Sequence, residues 1–365
     1  MRRYTHPPVK LRPPMTTQKR SRTARQSAKA RGNGPVTIGM VAQSAGVSAS
    51  TVSRVLNGTA IVSDVKKQAI DEAIATLGFV PNPIARGLAG GRTFSIGVVT
   101  QALDSPFYGA AMRGIEDELL PAGYSALFVS GHWDAPTEAR CIDVLQSRRV
   151  DGIVVLTGRL TDQALKSYAK AMPIVVTGRT LKAPGLFTLN FDNFEGGQLA
   201  TQHLIRLGHR RIAFITGDAR HPDATERMRG YRAALEAANI DFDPALVVPG
   251  EYHELSGLLA VDRLLATSQR FTAIFAANDQ MALGAALGLQ RRSLRVPEDV
   301  SIVGFDDLPT SQYAIPPLTS VHQPAYELGR LAASAMLQLQ AGVKPTAEVP
   351  RPRLIARESS RRLHG

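Results

Sequence analysis

Thr37-Ile38-Gly39-Met40-Val41-Ala42-Gln43-Ser44-Ala45-Gly46-Val47-Ser48-Ala49-Ser50-Thr51-Val52-Ser53-Arg54-Val55-Leu56-Asn57 is the stretch from which the rest of the chain can be read. Ile38, Val41, Ala42 and Ala45 recur at helical spacing. Gly46 supplies the backbone freedom for a sharp turn. Ser48 is a good N-cap for a second short helix. That helix turns Val52, Val55 and Leu56 inward and Ala49, Ser50, Ser53 and Arg54 outward. Two short helices about a tight glycine turn make a helix-turn-helix, whose second helix enters the DNA major groove. A third helix follows. Ser63 caps it, Val65, Ala69, Ile70, Ala73, Ile74 and Leu77 form its apolar stripe, and Gly78 stops it.

Next comes Pro81-Asn82-Pro83-Ile84-Ala85-Arg86-Gly87-Leu88-Ala89-Gly90-Gly91. Asn82 can cap and Pro83 suits a first helical position. The helix is under three turns long, marginal in water, and Gly87 weakens it by roughly 1 kcal/mol. It is expected to fold only against DNA and a partner chain. At these residues the chain resembles the lactose/galactose repressor family of bacterial regulators, through AxxAGVSxxTVSRVLN and GFVPNPIARGLAGGRT. The likeness runs over roughly residues 37 to 340. It implies a hinge helix at Asn82 to Ala89 in the minor groove, with Leu88 as the wedge between base pairs. An apolar side chain on a basic hinge can partly unstack a base step. Met40 stands where the family usually carries an acid.

Composition limits the alternatives. The chain has 365 residues, 44% apolar, room for a small and a large domain. No apolar run approaches a membrane span, and the Arg-rich start has no secretory core. Cys141 is the only cysteine, which excludes an internal disulfide framework and fits a reducing cytoplasm. Of the net charge of +12, ten units sit on residues 1–35, where no acid occurs. That tail is expected to be disordered, as a phosphate-binding arm or a solvated leader, with Met15 an alternative start.

From Phe94 onward short apolar runs alternate with helical patterns, twice over, as βαβ units of parallel sheets do. The expected fold is an N-terminal all-α helix-turn-helix domain plus an α/β two-lobed effector domain, which the resemblance makes periplasmic-binding-protein-like (type I). The expected divisions are a tail over 1–35, the DNA head over 36–80, the hinge over 81–92 and the effector domain over 93–345. Its N-lobe covers about 93–190 and 322–341, its C-lobe about 191–321, with the last crossing near Val321 to Gln323. A C-terminal strand and tail fill 346–365, fraying beyond Ile355.

Ligands of open α/β sheets sit at the carboxyl ends of strands. The candidates there are Asp104, Phe107, Arg179, Arg227, Tyr252, Asn278 and Asp306, a mixture suited to a polyhydroxylated ring. The resemblance makes Arg227 the effector-gripping arginine, Asn278 and Asp306 effector contacts, and Phe107 and Tyr252 aromatic walls. Gly178 precedes Arg179 where many relatives carry an acid. Trp133 is assigned to the surface or a dimer contact. The DNA-facing set is Thr37, Ser48, Ala49, Ser50, Thr51, Ser53, Arg54, Asn57, Asn82, Ala85, Arg86 and Leu88.

Enzyme readings find no support. No GxGxxG, GxxxxGK[ST] or GxSxG occurs, and the eight histidines show no metal spacing. No catalytic residue, metal or cofactor is assigned. The expectation is a homodimeric repressor of sugar-utilisation genes that binds a near-palindromic operator and a small sugar. The alternatives are a purine or phosphorylated-sugar effector, or a sugar-binding transport protein.

Overall fold

A computed structural model describes residues 36–56, 62–79, 91–267 and 270–363. Contacts divide the chain into Met1–Pro81 and Asn82–Gly365.

In the first unit, α1 (Ile38–Ser44), α2 (Ala49–Leu56) and α3 (Asp64–Leu77) enclose Val41, Ala42, Val52, Ile70 and Ala73. Thr37 caps α1, and Ser48 Oγ accepts the Thr51 amide at 3.2 Å to cap α2. Gly46 takes φ +66° in the turn between them, a left-handed conformation open to glycine at no steric cost. Two expectations for α3 fail. Ser63 is at its N-cap, but the backbone carbonyl takes the Lys66 and Lys67 amides and the hydroxyl makes no cap bond. Val65 is 78% exposed, because the stripe meets the core only from the second turn onward.

The second unit contains two sheets among the described residues. The first runs β2-β1-β3-β4-β5 and is parallel throughout, from β1 (Ser95–Thr100), β2 (Ser125–Ser130), β3 (Gly152–Val155), β4 (Ile174–Thr177) and β5 (Leu186–Leu189). Its helices are α4 (Pro106–Leu119), α5 (Ala135–Ser147), α6 (Asp162–Tyr168) and the late α11 (Ala325–Gln340), which packs on α4. The second sheet runs β11-β10-β9-β8-β6-β7. Its strands are β6 (Ile212–Thr216), β7 (Val247–Pro249), β8 (Ala273–Ala276), β9 (Ser301–Asp306), β10 (Thr319–His322) and β11 (Arg353–Ile355), the last antiparallel. With it go α7 (Asn193–Arg206), α8 (Pro222–Ala237), α9 (Glu254–Ala266) and α10 (Asp279–Arg291). Every residue of β3, β4, β8 and β9 is buried, as parallel strands covered on both faces must be.

The chain passes between lobes at 190–192, at 323–324 and again at 341–352. The last passage therefore lies after α11, not near Gln323, and the C-terminal residues complete the second lobe. Nor do residues beyond Ile355 fray. Ser359 is 2% exposed and exchanges bonds of 2.7 Å with Ile302, while Arg357 holds Asp307 at 2.7 Å. The Arg-rich composition suggested a solvated tail, but its small hydroxyls pair with β9 and β10.

Candidate functional site

Strand ends of both sheets converge on one cavity of about 990 Å³. At its floor lies Arg227 on α8, 4% exposed. Its Nε donates to Asn193 Oδ1 and one Nη to Gln323 Oε1, each at 2.9 Å, and the other Nη donates to the Ala277 carbonyl. Its guanidinium carbon sits 3.7 Å above the Phe305 ring. Asn193 follows the first lobe crossing and Gln323 forms the second, so this one side chain joins both. Two close approaches place it there. A Cβ on Gly197 would lie 2.4 Å from the Arg227 carbonyl oxygen, and one on Gly230 would lie 2.2 Å from that of Phe194, so only glycines let α7 and α8 meet so closely.

Two carboxyls flank the arginine without a full set of donors. Asp306 is 7% exposed and 3.9 Å from Arg227. Burial pushes it well above the usual carboxylate range, against the opposing pull of Arg227. Asp223 is likewise pushed up by burial. The Tyr252 hydroxyl is buried and has no partner, and burial raises it as well. Tyr252 reaches this place only because residue 217 is glycine: a Cβ there would lie 2.0 Å from its ring.

Asn278 lines the cavity, but both ends of its amide serve the protein. Oδ1 caps α10 through the Met281 amide at 2.9 Å, and Nδ2 holds the Tyr252 carbonyl at 2.9 Å. Phe107 meets Tyr108 edge-on at 5.3 Å, and Asp104 stands exposed at the rim. The strand-end reading thus brings Asp104, Phe107, Arg227, Tyr252, Asn278 and Asp306 together. Arg179 is the exception. It is absent from the cavity lining and instead grips the carbonyls of Gly158 and Leu160, the latter at 2.7 Å. With no acid at Gly178, backbone oxygens are its nearest acceptors.

The mouth holds residues that strand-end reasoning missed. Trp133, assigned to the surface, lies stacked on His221 with centroids 3.6 Å apart, and His221 lies parallel to Tyr252 at 5.5 Å. Arg159 meets Asp218 at 3.0 Å. Each of the four lies two to five residues after a strand, but that position does not say which loops meet.

In the DNA head, Ala49, Ser50 and Arg54 are exposed along one side of α2, while Thr51 and Ser53 are half-buried. Ser48 Oγ is 2.8 Å from both Ser50 Oγ and Thr51 Oγ1, and Thr37 is exposed at the start of α1. Asn57, Asn82, Ala85, Arg86 and Leu88 lie outside the described residues. Among the described residues no helix is long and apolar enough to cross a membrane.

Residues 37–82 match the model for bacterial regulatory proteins of the lacI family, and residues 201–360 match a periplasmic binding protein-like domain. The transcriptional repressor PurR of Aliivibrio fischeri strain MJ11 is 36% identical over 306 residues, covering 83% of this chain and 91% of that protein. The chain belongs to the lacI family. Two solved family structures extend the likeness. A transcriptional regulator CelR–cellobiose complex is 36% identical, with TM-score 0.67, covering 89% of this chain and 100% of its own. The lac repressor dimer bound to operator and the anti-inducer ONPF is 29% identical, with TM-score 0.82, covering 90% and 100%.

Proposed function

We propose that this lacI-family regulator represses sugar-utilisation genes in the cytoplasm. Its hold on operator DNA is set by a neutral, hydroxyl-rich ring bound in the cleft. The observation that carries the choice of ligand is the set of unfilled acceptors on the floor. Asp223, Asp306 and the Tyr252 hydroxyl surround an arginine whose nitrogens already serve Asn193, Ala277 and Gln323. Asp306 is buried and Asp223 half-buried, and vicinal hydroxyls would give both carboxyls and the Tyr252 hydroxyl hydrogen-bond partners. A phosphate at the floor would meet two carboxyls beside an arginine whose nitrogens already serve the protein, which disfavours a phosphorylated sugar. A purine ranks second, supported by the flat ring walls.

Arg227 supplies the link to DNA. A ligand that engages Asp306 acts beside the side chain that joins the first two lobe crossings. Lobe position then biases whether two hinges over 81–92 fold together on a duplex. Ligand and DNA affinities must change by the same factor in each direction. A homodimer is supported by apolar side chains left in solvent on the C-lobe: Leu287, 43% exposed, and Ile315, 96% exposed, line one groove, and Tyr313 is 78% exposed. A two-fold dimer calls for a near-palindromic site, read by Ala49, Ser50 and Arg54 in each half.

The test is gel retardation of the DNA upstream of the chain's own gene, with neutral sugars, phosphorylated sugars and nucleobases added in turn. The expected result is a retarded duplex whose midpoint moves with a neutral sugar. No retardation at moderate salt removes the repressor reading; a shift only with nucleobases moves the effector to the purine class.

A further inference from the structure

Four side chains meet across the mouth of the cleft, two from each lobe. Arg159 of the N-lobe reaches Asp218 of the C-lobe at 3.0 Å. Trp133 of the N-lobe lies on His221 of the C-lobe, with planes 17° apart. Arg159 Nη2 is also 3.4 Å from His221 Nε2, so the ion pair and the stack share an edge. We propose that Trp133, Arg159, Asp218 and His221 form a clasp that holds the two lobes closed before any ligand arrives.

Each N-lobe arm is fixed from behind by a buried polar side chain. His132 and Trp133 both take left-handed backbone, φ 52° and 55°, which is uncommon for bulky residues. Gln101, 1% exposed, accepts the Trp133 amide at 2.8 Å and reaches back to the Thr157 carbonyl. Glu138, fully buried, accepts the Arg159 and Leu160 amides at 2.8 and 2.9 Å. Arg179 holds the carbonyls on either side of Arg159. A loop gripped through both its amides and its carbonyls presents one guanidinium in one place. The C-lobe arm is equally set. Arg220 donates to Asp218 from its backbone and its guanidinium, the shortest contact being 2.6 Å, and the His221 amide donates to the Asp218 carbonyl at 2.9 Å. These bonds from Arg220 hold Asp218 well below the usual carboxylate range, so it meets Arg159 as an anion.

The clasp lies within the Asn82–Gly365 unit and is made of this chain's own side chains, so its existence does not rest on the effector reading; only its consequence does. A regulator closed when empty admits ligand by opening, and the strength of its clasp sets how much ligand affinity is spent on that step.

Trp133 is the only tryptophan of the chain, so intrinsic fluorescence reads the clasp directly. The experiment is acrylamide quenching of the full-length chain without ligand or DNA, for wild type, Asp218→Asn and Arg159→Met. The expected wild-type signal is that of a shielded indole. Both variants move emission to longer wavelength and raise the quenching constant toward that of an exposed indole, and the charge-swapped Arg159→Asp/Asp218→Arg pair recovers part of the shielding. Variants that keep wild-type circular dichroism and wild-type quenching overturn the clasp. Should the variants not fold, wild type alone decides, because quenching as fast as for free tryptophan contradicts a closed mouth. An effector panel that finds nothing leaves this result standing, and an open mouth leaves the effector reading standing.

Discussion

The floor and the mouth of the cleft are built from the same residue types and behave in opposite ways. At the mouth, Arg159 and Asp218 are partners and Trp133 and His221 cover one another, so all but Arg159 Nε is paired within the chain. At the floor, Arg227 is fully engaged, Asp306 is 3.9 Å from it, and the buried Tyr252 hydroxyl has no partner, so polar groups there are open to a ligand. The difference separates two tasks. Satisfied groups set the resting shape of the protein, and unsatisfied ones define what changes it.

The harshest way to break the comparison is Arg227→Ala. It strips Asn193 and Gln323 of their donor and leaves Asp306 buried without its nearest cation. Losing one partner of a buried charged network costs about 3–5 kcal/mol, so denaturant unfolding should show a destabilised Asn82–Gly365 unit and calorimetry no ligand binding. Next in size is Gly197→Ala, whose methyl would press on the Arg227 carbonyl. Forcing α7 from α8 should cost about 1–3 kcal/mol in the same unfolding assay, with weaker ligand binding.

Asp306→Asn sharpens the contrast. Burial already disfavours the Asp306 charge, so melting should hold or rise, whereas ligand affinity should fall about 10-fold with the loss of a hydrogen-bond acceptor. Its Trp133 emission should match wild type.

The smallest effect is one of pH. Burial lowers His221 from its ordinary value near 6.5 to about 4, with Arg159, Arg220 and Arg227 acting in the same sense and Asp218 against it. Trp133 and Tyr252 cover its two faces. A histidine depressed in the closed form favours closure above its open-state value and opposes it as protons bind. Shielding of Trp133 should therefore be full above pH 6.5 and decline as pH falls toward 4. A flat quenching profile over that window would detach His221 from the mouth.

How much of this was legible follows the same division. The floor could be read because its residues stand at strand ends in recognisable stretches: Arg227 before Gly230-Tyr231, Asn278 after β8, Asp306 closing β9. The mouth could not, because Trp133–His221 and Arg159–Asp218 join loops of different sheets, and no periodicity records which loops face each other. Arg179 shows the cost of reading position alone. It has the right place after β4, yet its guanidinium turns to backbone carbonyls. Asn278 carries both meanings offered for it in part, lining the cavity while capping α10. In the head, Ser48 acts as its spacing implies, while Ser63 does not, since a cap position fixes the backbone but not where a hydroxyl points.

Titration calorimetry of the full-length protein with neutral mono- and disaccharides and with their phosphorylated forms addresses the floor directly. Its open polar groups predict that a neutral sugar binds, that its phosphate ester does not, and that Asp306→Asn weakens the binding of the sugar. A phosphate ester binding more tightly than the parent sugar, undiminished by Asp306→Asn, would contradict it.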